Sequence, residues 1–219
     1  MLARLFVFIA VLGFSASLEA AEIKTDGRVV WITGPFVAED GDRFKAVALA
    51  VGDGATIVLE SDGGSAGAAI AVGEEIKRRK FATAVLADKT CASACGFVWL
   101  AGKPRLMDKS AKLGFHAVYL LEEGKPVPSV AANAVMGSYL GSIGIPPTAI
   151  YFVTMAGPDG MNWMDQKIAA KLGVEVLVFD QTVTDEDEIF GRRNMVKRGG
   201  KKALLEDLFR RANEDEGAN

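Results

Sequence analysis

The chain has 219 residues, 50% of them hydrophobic, and a formal net charge of -3. That length and apolar content suffice to bury a sizeable core in one globular domain, and the mild acidity excludes the basic, aromatic-interleaved surface of a nucleic-acid binder. The one basic cluster, Arg192 to Lys202, is interspersed with apolar residues and followed by acids.

In chain order, residues 1–21 have the parts of a secretory signal peptide: an early base at Arg4, an apolar stretch from Leu5 to Phe14, then small residues leading to Ala20 and Ala21. The apolar run is short for a bilayer span. Cleavage after Ala20 or Ala21 is therefore expected, giving a periplasmic or secreted protein that meets a membrane only if the segment is retained as an anchor. The cut removes Arg4 and Glu19, one charge of each sign, so the net charge stays at -3. No cysteine follows the apolar stretch to accept a lipid.

The remainder divides into a domain over 22–180 and a charged extension over 181–219 with one possible helix. Arg28 to Phe36 reads as a first strand, Phe44 to Val51 as a short helix, and Ala55 to Ser61 as a buried strand. A turn through Asp62, Gly63 and Gly64 leads to a helix over Ala66 to Lys80, whose bases gather at its C-terminal end to suit the dipole. Ala82 to Ala87 is a third strand. This alternation predicts an α/β fold with a mostly parallel sheet and helices on its faces.

Chemistry concentrates next. Thr90 to Gly102 reads TCASACGFVWLAG, so both cysteines flank Ser93 at the head of a helix that stops near Gly102. A serine there has two uses. It caps the unpaired N–H groups of the first turn, or it serves as a nucleophile whose attack creates an oxyanion at the positive end of the dipole. The single histidine, His116, lies on a further expected strand, KLGFHAVYL, and imidazole is the usual base for such a serine. The glycine-rich turn ESDGGSAG offers backbone N–H groups with no Cβ in the way.

Read in order, VVWITGPF, VLESDGGSAGAAI, ASACGFVWLAG, KPRLMDKSAKLGFHAVY and MNWMDQKIAAKLGVEV resemble the successive segments of Clp-type proteases in the ClpP/crotonase superfamily, which includes the signal-peptide peptidases. The resemblance covers Gly27 to Val178. It implies a repeated ββα superhelix with outer helices and a serine peptidase cutting peptide or protein substrates through an acyl-enzyme, with no cofactor or metal. Ser93 falls at the nucleophile and His116 at the base, and the N–H groups of Ala94 and of Gly63 or Gly64 at the oxyanion hole. The stretch from Glu122 to Gly160, with a Pro-containing loop and two apolar helices, inserts between subunits in the family and implies a homo-oligomer.

Two departures stand out. Asp62 occupies the place of the proline that usually precedes the two glycines. Counting back from Gly173, the third catalytic carboxylate falls near Met161, with Asp159, Asn162 and Asp165 as neighbours, and Asp159 is taken as that residue. Lysine bases occur in the signal-peptide peptidases, which keeps Lys103, Lys109 and Lys112 open. Cys91 and Cys95, i and i+4 at a helix start, would lie roughly 6 Å apart between Cα atoms, within disulfide range. A bridge would brace the backbone around Ser93; a redox pair or a metal site is the alternative use. Set against the peptidase are a catalytically inactive binding or assembly module and, more distantly, an acyl-CoA enzyme. Beyond the domain, Thr184 to Phe190 is an acidic run, and Lys201 to Ala212 places Leu204, Leu205 and Leu208 at helical spacing.

Overall fold

The structure is a computed structural model and describes residues 20–181. Most of the expected signal peptide, the acidic run and the leucine-bearing stretch lie outside those residues. Two strands open the domain, β1 (Glu22–Asp26) and β2 (Val29–Thr33), followed by α1 (Asp40–Val51), β3 (Thr56–Glu60), α2 (Ala66–Arg79) and β4 (Ala82–Val85). Then come β5 (Thr90–Ala92), α3 (Ala94–Trp99), β6 (Arg105–Asp108) and β7 (Lys112–Phe115). A hairpin of β8 (Tyr119–Glu122) and β9 (Lys125–Pro128) leads to α4 (Val130–Ser142) and α5 (Pro147–Met155), and β10 (Asn162–Met164), α6 (Gln166–Leu172) and β11 (Leu177–Phe179) close the domain.

Six strands form one sheet in the order β1-β2-β3-β4-β6-β11, parallel throughout except for β1. The continuous apolar runs of β2, β3 and β4 follow from burial on both faces. On one face Val30, Ile32, Ile57 and Leu59 meet Phe44 and Ala48 of α1 and Val72 and Ile76 of α2. On the other, Val29, Val58, Ala84, Leu106 and Phe179 form a smaller cluster under Trp31. α3 is buried along its whole length, as an all-apolar helix must be. Its last residue, Trp99, donates from Nε1 to Leu106 O at 2.9 Å.

A second sheet, β10-β7-β5, grows from the tip of the first. Past the end of β3, Ser61 turns from β4 to β5: its N–H donates to Thr90 O at 2.9 Å, and Ala92 N–H donates to Ser61 O at 2.9 Å. The candidate catalytic segments meet at this fork.

The mixed α/β architecture matches the expectation, with differences in detail. α1 begins at Asp40, one turn before the apolar periodicity, because Asp40 and Asp42 lie in its first turn at the positive end of the dipole. β1 adds an antiparallel edge that the sequence reading did not separate from the residues after the signal. The Pro-containing loop after His116 is a hairpin, β8–β9. Among the described residues, no helix is long and apolar enough to cross a membrane.

Candidate active site

Ser93 occupies the corner between β5 and α3 with φ 54° and ψ -122°. A non-glycine residue rarely takes a positive φ, and such strain persists only where neighbours hold it. Three constraints do so. Its N–H donates to Gly114 O on β7 at 2.8 Å. Gly63 packs directly on it. The disulfide Cys91–Cys95 spans the corner with its Cα atoms 5.1 Å apart, and both cysteines are fully buried.

The bridge forms as the sequence predicts, on a different frame. Cys91 lies on the strand and Cys95 on the helix, so the two are joined across a turn and not along one helical face. Neither cysteine is free, and among the described residues no group of three or more His, Cys, Asp or Glu side chains is placed to hold a metal ion. Ser93 stands at the N-terminal boundary of α3 without capping it: its hydroxyl makes no cap hydrogen bond. It is half-buried, within reach of a ligand.

The glycine turn is fixed by its contacts. A Cβ on Gly64, at φ 129°, would lie 2.3 Å from Phe36 O, and one on Gly63, at φ 117°, would lie 2.6 Å from the Ser93 Cβ. Only glycine fits at either position. Phe36 N–H donates to Gly63 O at 2.8 Å and Ser65 N–H to Phe36 O at 2.8 Å, which sets the orientation of the turn. The Gly63 N–H is already committed to Ser61 Oγ at 3.0 Å. Among the described residues, the N–H groups of Gly64 and Ala94 take part in no hydrogen bond to the protein. Of the two glycines left open by the sequence, Gly64 is thus the one with a donor to spare.

His116 directly follows β7, two residues beyond the Gly114 that accepts from Ser93, so serine and histidine belong to adjoining, hydrogen-bonded segments. The imidazole is buried and stacks on Tyr119, with ring centroids 5.4 Å apart. Its Nδ1 donates to Ala117 O at 2.7 Å. A carbonyl oxygen can only accept, so this contact leaves Nε2 as the basic nitrogen of the neutral ring.

The expected third residue sits elsewhere. Asp159 is exposed in the loop between α5 and β10, and among the described residues it makes no hydrogen bond to His116. β10 pairs with β7 so that Asn162 faces Phe115, and the side chain of the preceding Met161 lies against Gly114. Asn162 donates to Phe152 O at 2.7 Å, and Asp165 caps α6 by accepting from Ile168 N–H at 2.7 Å. Lys103 and Lys112 are exposed, Lys112 at the start of β7 away from His116, and Lys109 pairs with Asp180.

Asp62 is exposed on the rim of a groove of about 860 Å3 that also includes Thr33, Pro35, Glu60, Asp88 and Thr90 beside the glycine turn. Glu60 is engaged by Lys89 at 3.2 Å. On the histidine side, β8 presents Leu120 and Leu121, both well exposed.

One polar residue that sequence reading did not single out is Asn133 on α4. It accepts from Val118 N–H at 2.9 Å and donates to Val118 O at 2.7 Å. Its only trace in the sequence is an amide four residues after Ser129, within an otherwise small and apolar helix.

A crossover α/β sheet with a second sheet forking from it is a fold that this chain shares with solved protease structures. The structure is similar to two solved forms of the 1510-N membrane-bound stomatin-specific protease. One is a serine-to-alanine mutant, at TM-score 0.55 and 19% identity over 73% of this chain and 80% of that one. The other is a lysine-to-alanine mutant in complex with a substrate peptide, at TM-score 0.54 and 20% identity over 73% of this chain and 76% of that one. No protein-family model matches the sequence, and no curated protein matches it either.

Proposed function

We propose that the protein is an exported serine peptidase in which Ser93 is the nucleophile and His116 the general base. Nε2 takes the hydroxyl proton as Oγ attacks the substrate carbonyl, and the N–H groups of Gly64 and Ala94 stabilise the oxyanion. Collapse of the adduct breaks the peptide C–N bond. The amine leaves with the proton from Nε2, and the acyl group stays on Oγ. Water, deprotonated by the same nitrogen, then cleaves the ester and restores Ser93. The exposed apolar hairpin beside His116 suits an extended peptide substrate or a second copy of the chain.

The observation that carries this reading is the backbone of Ser93. A capping serine gains nothing from a strained positive φ, whereas a strand-to-helix corner that lifts Oγ out of the helix is the geometry nucleophilic serines use. The shared fold with a protease supports it.

Labelling with a fluorophosphonate serine-hydrolase probe tests it. The expected result is covalent modification of the mature protein that disappears in Ser93→Ala and in His116→Ala. The inactive-module reading is favoured by one feature: among the described residues, no carboxylate is hydrogen-bonded to His116 Nδ1. Folded, oxidised protein that takes up no probe would establish that reading instead.

A further inference from the structure

We infer that Asn133 is the positioning residue of the candidate base and acts on His116 through the Ala117–Val118 peptide group. The inference rests on the assignment of His116 as the base. The acceptor for its Nδ1–H, Ala117 O, is one end of a planar amide whose other end is the Val118 N–H, pointing the opposite way. That N–H donates to Asn133 Oδ1 at 2.9 Å. Asn133 Nδ2 donates to Val118 O at 2.7 Å and to Ser129 O at 2.8 Å, and Ser129 N–H also donates to Val118 O, at 3.0 Å. The first turn of α4 therefore grips the backbone on both sides of Val118. The peptide plane cannot rotate its carbonyl away from the imidazole without breaking the bond to Asn133.

Hydrogen bonds in such a chain polarise one another. Asn133 Oδ1 draws on the Val118 N–H, which makes Ala117 O a better acceptor for Nδ1–H and keeps Nε2 free to receive the serine proton. In Ser-His-Asp sites a carboxylate selects that tautomer and its loss is costly. Here a neutral carboxamide does so at one remove, in a site where His116 Nδ1 meets a main-chain carbonyl.

Nitrogen-15 NMR is suited to the test because the chain has one histidine, so labelled histidine reports His116 alone. The neutral ring of the wild-type protein is expected to carry its proton on Nδ1. In Asn133→Ala a share of the rings should move the proton to Nε2, and fluorophosphonate labelling should slow on the order of tenfold or more. Asn133→Asp keeps an acceptor for Val118 N–H and should keep Nδ1–H. A wild-type ring protonated on Nε2 overturns the inference even if the alanine variant does not fold. An Asn133→Ala ring still wholly protonated on Nδ1 overturns it as well. The tautomer is read without any reaction at Ser93, so a probe-inert protein with the expected spectra would reject the peptidase, and with it the base, while leaving Asn133's control of the His116 tautomer standing.

A separate observation carries a second inference: the structure assigns Ala21 as the first residue of the processed chain, with its new ammonium group paired to Asp40. Ala21 is fully buried, whereas Ala20 is exposed. The Ala21 nitrogen lies 3.4 Å from Asp40 Oδ2, and Ala21 O accepts from Arg43 Nη1 at 2.9 Å. Asp40 is fully buried, its Oδ1 held by Arg43 at 2.5 Å and its Oδ2 by Val37 N–H at 2.8 Å. Hydrolysis of the Ala20–Ala21 bond would turn a long amide contact into a charge-assisted one. A cut after Ala21 would remove a core residue.

Intact mass of the full-length chain after export from a bacterial host should begin at Ala21. Three forms released from a removable fusion, starting at Ala20, Ala21 and Glu22, should melt highest for Ala21, and Asp40→Asn should abolish its advantage over the Ala20 form. A different exported terminus, or equal melting of the Ala20 and Ala21 forms, overturns the assignment.

Discussion

Gly63 and Ser93 are in contact: a Cβ at position 63 would stand 2.6 Å from the Cβ of Ser93 and 3.0 Å from its Oγ. The glycine turn and the Ser93 corner are thus packed directly against each other. Gly63→Ala, at φ 117°, adds backbone strain to a clash and should destabilise the fold by about 2–4 kcal/mol. Because the clash falls on Ser93 itself, probe labelling should drop by at least about tenfold even in the fraction that remains folded. Circular dichroism melts and labelling rates measured together check this, and near-wild-type labelling would show that the two residues are not tightly coupled.

The Cys91–Cys95 bridge closes a loop with a sequence separation of only 4. By loop entropy its removal costs about 2 kcal/mol. The functional loss should be larger than that figure suggests, since both cysteines flank the strained residue. In Cys91→Ala/Cys95→Ala the expected outcome is a modest fall in melting temperature with labelling of Ser93 largely lost. Equal labelling with and without the bridge would mean that Gly63 and the Gly114 carbonyl hold the corner unaided.

Much of this could be read in the sequence because it lies in local patterns. The buried runs at Ile57 to Leu59 and Ala82 to Val85, the start of α2 at Ala66 and the reach of α6 to Gly173 all depend on near neighbours. Three things did not. β5 is three residues long and pairs with β7 more than twenty residues later, so no periodicity marks it. The difference between Gly63 and Gly64 depends on a hydrogen bond from the Gly63 N–H to the Ser61 hydroxyl oxygen, which two adjacent glycines cannot disclose. Asn133 reaches His116 only through a peptide 15 residues away in sequence. Counting from Gly173 led to Asp159, which is exposed; what the count could not supply was that Nδ1 of His116 is met by the neighbouring main-chain carbonyl of Ala117.

Away from the site, Glu75 offers a test of stability against pH. The Arg78 guanidinium, hydrogen-bonded at 2.8 and 2.5 Å, holds its carboxyl below the usual range; burial opposes this, and a hydrogen bond from Arg79 adds to it. A carboxyl lowered on folding binds its proton more readily in the unfolded chain. Its contribution is therefore complete above the ordinary carboxylate value of about 4.3 and is lost as pH falls through the lower folded value. Glu75→Gln should cost about 1–2 kcal/mol at neutral pH. Melting curves of the two proteins should converge as the pH approaches the folded value; a constant gap down to that point would assign the loss to packing.

Asp62 is the acid nearest in sequence to the glycine turn, and it is exposed. A negative charge there opposes the oxyanion expected at Gly64, weakly, because solvent screens it. Asp62→Asn should speed labelling on the order of twofold, with the difference shrinking as salt is added. A slower variant would instead place Asp62 in substrate or probe binding along the groove.

Asp159 supplies the sharpest comparison with a carboxylate triad. Its side chain is exposed beyond α5, while Nδ1 of His116 is already satisfied by Ala117 O at 2.7 Å. A residue that orients an imidazole loses several orders of magnitude in rate on substitution. Asp159→Ala is expected to stay within about twofold of wild type, as exposed substitutions remote from a site generally do. Labelling rates at several pH values decide it. A fall of a hundredfold or more would mean that the loop over 157–160 swings inward when substrate binds and delivers a carboxylate to the ring, with the peptide acceptor serving only the resting enzyme.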